Sequence, residues 1–237
     1  MRGRRLLALV AAVLIAPAAA PVTTAAAKPA SAAQRDWTKM VAQTAEGGFR
    51  VGDPQAPISL IEYGSLTCSH CARFATEGMP ALLRDHVRSG KVSFEFRNFV
   101  LNRYDLAAAL LSRCAGPANY FAVTDAMFAA QPQWLARYAG VTSAEAAALQ
   151  AVPESERPWR VATLGGLDAL AAKGGVTAAR AKACLADKAA IERLAELRRI
   201  GAEAHQVTAT PTFIVNGVKA DASDWATLEP LLRPPGG

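Results

Sequence analysis

Two cysteines separated by Ser69 and His70, Cys68 and Cys71, stand in the first third of a chain of 237 residues. Before them the apolar run Ile58-Ser59-Leu60-Ile61-Glu62-Tyr63 reads as a buried strand, and after them Ala72-Arg73-Phe74-Ala75 reads as the first turns of a helix. A cysteine at such a helix start meets unpaired N–H groups and the positive end of the helix dipole. Both stabilise a thiolate, taking its pKa from about 8.5 into a range of roughly 3.5 to 7.5. Cys68 is therefore the candidate nucleophile, and Cys71, one turn further on, the cysteine that resolves a mixed disulfide. His70 can place a positive charge or a donor near the Cys68 sulfur. The same spacing is also half of a zinc site, and a structural disulfide uses it too. Zinc would need two more ligands, and Cys114, Cys184, His86 and His205 are scattered, with no second Cys-x-x-Cys. Haem attachment would need a histidine where Ala72 stands. No metal and no cofactor are expected.

A second signal lies far downstream, in Val207-Thr208-Ala209-Thr210-Pro211-Thr212-Phe213-Ile214-Val215-Asn216-Gly217. Proline is tolerated at the first residue of a strand, and an X-Pro bond there is a candidate for the uncommon cis form. Strand, Cys-x-x-Cys, helix and a distant Thr-Pro strand together resemble the thioredoxin superfamily. The run Glu62-Tyr63-Gly64-Ser65-Leu66-Thr67-Cys68-Ser69-His70-Cys71-Ala72, with Cys114 and Cys184 in a long helical middle, is similar to the DsbA-like thiol:disulfide oxidoreductases of bacterial envelopes. The likeness covers roughly residues 50 to 235.

That resemblance implies a cis Thr210-Pro211 bond packed against the cysteine pair. The Thr210 backbone would then receive an extended substrate as an added strand. It also places Glu62 where such proteins carry a buried acid that exchanges a proton with Cys71, although a carboxylate in that strand can equally point to solvent. Cys114 and Cys184 can be buried free thiols or a second redox pair. In an exported protein an even pair most simply forms a structural disulfide, worth about 4 kcal/mol on the chain-entropy estimate, and the resemblance agrees.

The elements that must hold these residues follow from periodicity. Lys91 to Val100 alternates at period two and reads as a strand. From 105 to 205 alanine is abundant and apolar residues recur at helical spacing, so an all-helical insertion is expected, including one long helix from Thr177 to Gly201. Pro80 should kink the helix that follows the cysteines. Asn216-Gly217 favours a hairpin turn, and Ser223 reads as the cap of a last helix from Asp224. The expected architecture is α/β, a thioredoxin fold with a large all-helical insertion. Residues 51–104 plus 206–237 form the thioredoxin-like part, 105–205 the insertion, and 28–50 an N-terminal extension of undecided form.

Residues 1–27 read as a signal peptide, with a retained membrane anchor as the alternative: Arg2, Arg4 and Arg5 precede an apolar stretch and small-residue cleavage sites. Subtracting the three leader arginines from the net charge of +6 leaves +3, a mild bias that does not point to nucleic acid. The expected function is a monomeric, periplasmic dithiol oxidase that gives its Cys68–Cys71 disulfide to folding, thiol-containing envelope proteins. A membrane quinone-linked reoxidase is implied by the resemblance. A disulfide isomerase or reductase, and a non-catalytic chaperone or binding module on the same scaffold, are the alternatives.

Overall fold

The computed structural model describes residues 35–233. The expected leader at 1–27 lies outside them, as do 28–34 and 234–237. Six strands form one sheet in the order β1-β2-β4-β3-β5-β6: β1 Val41–Gln43, β2 Phe49–Val51, β3 Ile58–Gly64, β4 Val92–Asn98, β5 Thr212–Val215 and β6 Val218–Lys219. The two central strands, β3 and β4, run parallel with Leu60 opposite Phe94 and Glu62 opposite Phe96. The remaining pairs are antiparallel.

β1 and most of β2 lie in the N-terminal extension, for which the sequence left a short helix or a tether open. They join the sheet because Phe49 pairs with Phe96 of β4 and stacks on Tyr120 at 3.7 Å between ring centres. All seven residues of β4 are buried, whereas alternation predicted one wet face. Its polar positions turn inward as a paired network instead. Arg97 Nε donates to Glu95 at 2.7 Å, Arg97 Nη1 donates to the Tyr63 hydroxyl at 3.2 Å, and Thr44 Oγ1 donates to Glu95 at 2.8 Å.

The helix after the cysteines runs without a break through α1 Ser69–Arg73, a π-helical segment Phe74–Gly78, α2 Met79–Ala81 and a second π-helical segment Leu82–Val87. Pro80 is the second residue of α2, separated from the first wide segment by Met79 alone, where looser backbone pairing accommodates its missing N–H. Phe74 on this helix packs on Phe213 of β5 at 4.8 Å.

The helical stretch comprises α3 Arg103–Cys114, α4 Tyr120–Ala129, α5 Gln131–Ala139, α6 Ser143–Ala151, α7 Arg157–Gly165, α8 Leu167–Lys173, α9 Ala178–Leu185 and α10 Lys188–Ala204. The single helix expected from Thr177 to Gly201 is two. Thr177 caps α9 as predicted, but Asp187 accepts from the Ala190 N–H and starts α10 afresh. α10 then returns to the sheet. Gly201 lies against Tyr63 of β3, where a Cβ would come within 2.8 Å of the ring, so the smallest residue fits that contact. The hairpin turn at Asn216-Gly217 has φ of 49° and 82°, as its residues predict. The last helix, α11 Trp225–Leu228, is capped by Asp224 in a capping box with Thr227, not by Ser223.

Candidate active site

The parallel strand β3 delivers the loop 65–68 to the carboxyl end of the sheet, and α1 leaves from it. Cys68 is the N-cap of α1 with extended backbone (φ −88°, ψ 123°), so its side chain sits at the opening of the helix. In the thiol form Cys68 Sγ donates to the Thr210 carbonyl at 3.1 Å. Its pKa is lowered to about 5. The hydrogen bond offered by the Cys71 thiol is the largest cause, burial opposes it, and the Thr210 side chain and the backbone N–H groups of Cys71 and His70 add to it. Cys71 is the opposite case. It is buried, and burial first, then the neighbouring Cys68 and Glu62, hold its thiol well above the ordinary value. One sulfur is half-buried and its thiolate is favoured; the other is enclosed and its thiol is favoured.

Glu62 is only 2 % exposed, so it does not point to solvent. Burial and the Cys68 charge push its carboxyl well above the usual range, while a hydrogen bond to Cys71 pulls it back, and Oε1 has no protein partner. Gly64 makes room for it: a Cβ there would lie 2.5 Å from the Phe96 ring and 2.9 Å from Glu62 Oε1.

The Thr210-Pro211 peptide is cis. β5 begins at the next residue, with Thr212 opposite Tyr63 and Phe213 opposite Glu62, and this register brings Thr210 against Cys68. Thr208 and Ala209, which precede it, are exposed and line a cavity of 420 Å³. His70 is exposed and lines a small cavity with Arg73, Glu77, Asp224 and Trp225, and its backbone N–H is among the groups that lower the Cys68 pKa. Cys114 and Cys184 are joined by an S–S bond of 2.01 Å between α3 and α9.

Sequence reading missed the residues that hold the loop. Asp105, buried in the first turn of α3, accepts from Ser65 Oγ at 2.6 Å and from the N–H groups of Leu66 and Leu101 at 2.8 and 2.9 Å. Burial nonetheless lifts its carboxyl to about 6. Asn102 caps α3 and donates to Thr67 Oγ1 at 3.1 Å. Gln131, at the start of α5, donates to the carbonyls of Leu66 and Cys68. Asn102 could be read as a cap from its type; nothing local marks Asp105 or Gln131 as partners of a loop some 40 to 65 residues earlier in the chain.

Comparison with known proteins adds to this geometry. A family model described as thioredoxin matches residues 44–233. A Rickettsia bellii protein provisionally named a protein-disulfide oxidoreductase is 28% identical over 177 residues, which is 74% of this chain and 60% of that protein. Its Rickettsia typhi counterpart is 26% identical over 185 residues, 78% of this chain and again 60% of the relative. The chain thus spans about 60% of the length of these curated relatives. Among solved structures, a protein-disulfide isomerase from Novosphingobium aromaticivorans superposes with a TM-score of 0.72 at 29% identity, covering 77% of this chain and 94% of that one. Wolbachia pipientis alpha-DsbA1 gives 0.58 at 26%, covering 77% and 87%. The fold is therefore a thioredoxin fold carrying a helical insertion, as in the DsbA-like structures.

Proposed function

The chain belongs to the thioredoxin family, and from that premise we propose that it is a DsbA-like thiol:disulfide oxidoreductase working as a dithiol oxidase. The observation that carries this reading is the asymmetry of the pair: a reachable Cys68 with a thiolate stabilised to a pKa of about 5, and an enclosed Cys71 held as a thiol. In the oxidised enzyme a substrate thiolate attacks Cys68 Sγ and breaks the Cys68–Cys71 bond. Cys71 leaves and takes a proton, which Glu62, whose burial favours its protonated form, is placed to give. A second substrate thiolate then attacks the substrate's own sulfur in the mixed disulfide, closing the substrate disulfide. Cys68 departs as the better leaving group, since the lower-pKa thiol leaves faster. Two electrons pass from the substrate dithiol to the enzyme.

The substrate lies as an extended strand along Thr208–Thr210, of which Thr208 and Ala209 are exposed and the half-buried Thr210 adjoins the Cys68 sulfur. Its partners are thiol-containing proteins still folding in the envelope. The basic and apolar start of the sequence supports export, and reoxidation falls to a membrane quinone-linked partner. The protein acts as a monomer. An isomerase is the second reading, supported by the likeness to the Novosphingobium isomerase and by a threonine before the proline.

Mixing the oxidised protein with a reduced, unfolded polypeptide tests the proposal. Oxidation of the polypeptide, its loss in Cys68→Ser and a trapped mixed disulfide in Cys71→Ser are expected. Full binding of the polypeptide with no thiol transfer in the unsubstituted protein would instead identify a non-catalytic module.

A further inference from the structure

Arg103, Arg157 and Lys188 open onto one cavity of 740 Å³ within the helical layer, walled by α3, α6, α7 and the junction of α9 and α10. Its floor is aliphatic, built by Leu106, Leu149, Val161, Leu185 and Ile191. Glu154 is the one carboxylate among the described residues that line it, and none of the three cations pairs with a carboxylate among those residues. Arg103 donates to the Tyr104 hydroxyl and Arg157 to the Gln150 carbonyl, each at 3.1 Å. Arg157 Nε is buried with no partner, which is uncommon for a donor in a folded protein.

We infer that this cavity binds a single-chain amphiphile with an anionic head. The volume lies inside the range of small-molecule sites, roughly 300 to 1,000 Å³. The walls are helical or tight turns, so they offer no free strand edge to an extended peptide, whose backbone would be buried without partners. An alkyl tail has no such groups to satisfy, and the aliphatic floor suits it. At the mouth, two guanidinium forks and an ammonium outnumber one carboxylate, the arrangement that recognises a carboxylate or phosphate. No lining residue hydrogen-bonds Cys68 or Thr210 among the described residues; Arg103 and Leu106 flank Asp105, which holds the Cys68 loop from the same turn of α3.

Calorimetry on the full chain with dodecanoate, kept below its micelle concentration, is the test. One saturable site per chain is expected, with no uptake of dodecyltrimethylammonium, whose tail is the same and whose charge is reversed. Arg157→Met should weaken dodecanoate at least tenfold. Because Arg157 also ties α6 to α7 and that variant could fail to fold, Lys188→Glu, at an exposed position, provides the same reading, with thermal unfolding measured on both. Tighter binding of dodecanoate than of dodecyl phosphate assigns the head to a fatty acid, and the reverse order assigns it to a phosphate-headed lipid. Absence of saturation, equal uptake of the cationic amphiphile, or dodecanoate binding undiminished in folded Lys188→Glu would overturn the inference.

Discussion

The side-chain amide of Gln131 donates to the backbone carbonyl of Cys68 at 2.9 Å and to that of Leu66 at 2.8 Å, so the first turn of α5 holds the loop that carries the nucleophile. Asp105 grips the same loop from α3 through Ser65 and Leu66. The helical insertion is thus part of the active site's frame and not only a cover over it.

Gln131→Ala removes a donor from two carbonyls, one of them fully buried, and should cost about 2 kcal/mol. Asp105→Ala leaves the Ser65 hydroxyl and two backbone N–H groups without their acceptor and should cost more, about 3 kcal/mol or above. Denaturant unfolding measures both, and the order of the two costs is the expected outcome.

Ionisation of Cys68 should give the reduced protein a pH-dependent stability. Its folded pKa of about 5 lies below the unfolded value, near 8.5, so the unfolded chain binds more protons between those limits. The stabilisation is complete above the unfolded pKa and is lost as pH falls through 5. The oxidised protein has no such thiolate. Unfolding of the two forms compared from pH 4 to 9 should show the gap shifting toward the reduced form as pH rises, and alkylation of Cys68 should be half-maximal near pH 5.

Glu62→Gln should stabilise the protein and slow it. The folded pKa of Glu62 is raised, so the unsubstituted protein loses stability as pH climbs above the unfolded value of about 4.5. Glutamine does not ionise in the unfolded chain, so that pH-dependent loss disappears and the variant should be the more stable of the two at neutral pH. With no proton to give to Cys71, disulfide transfer should fall about a hundredfold. Stopped-flow oxidation of a model dithiol checks the rate.

Loss of the second bridge should affect stability alone. Cys114→Ser with Cys184→Ser opens a link across 70 residues, which costs about 4 kcal/mol on the chain-entropy estimate. Neither sulfur contacts Cys68, so single-turnover disulfide transfer measured on the folded double variant should be unchanged.

What could be read from the sequence was local. The strand before Cys68, the helix after it, the Thr-Pro step into β5 and the Asn216-Gly217 turn each follow from a few adjacent residues whose backbone preferences agree. β1 and β2 were missed because three-residue strands have no measurable period, and Phe49 is explained by Phe96 and Tyr120, far away in the chain. The break at Asp187 is hidden in an alanine-rich run that favours continuous helix. His70 shows a different limit: spacing places it between the cysteines, but that the residue is exposed and that its backbone N–H reaches the sulfur is visible only in the fold. Asp105 and Gln131 look like ordinary first-turn polar residues until the fold brings the loop to them.

Equilibration of the protein in glutathione buffers, with thiols trapped and counted by mass, gives the potential of the Cys68–Cys71 pair directly. A Cys68 pKa of about 5 favours the reduced form roughly a hundredfold at pH 7, about 60 mV relative to an unperturbed dithiol. A potential well above that of glutathione, near about −120 mV, is the predicted result for an oxidase. A value of about −200 mV or below would contradict it and mark the pair as a reductant or isomerase.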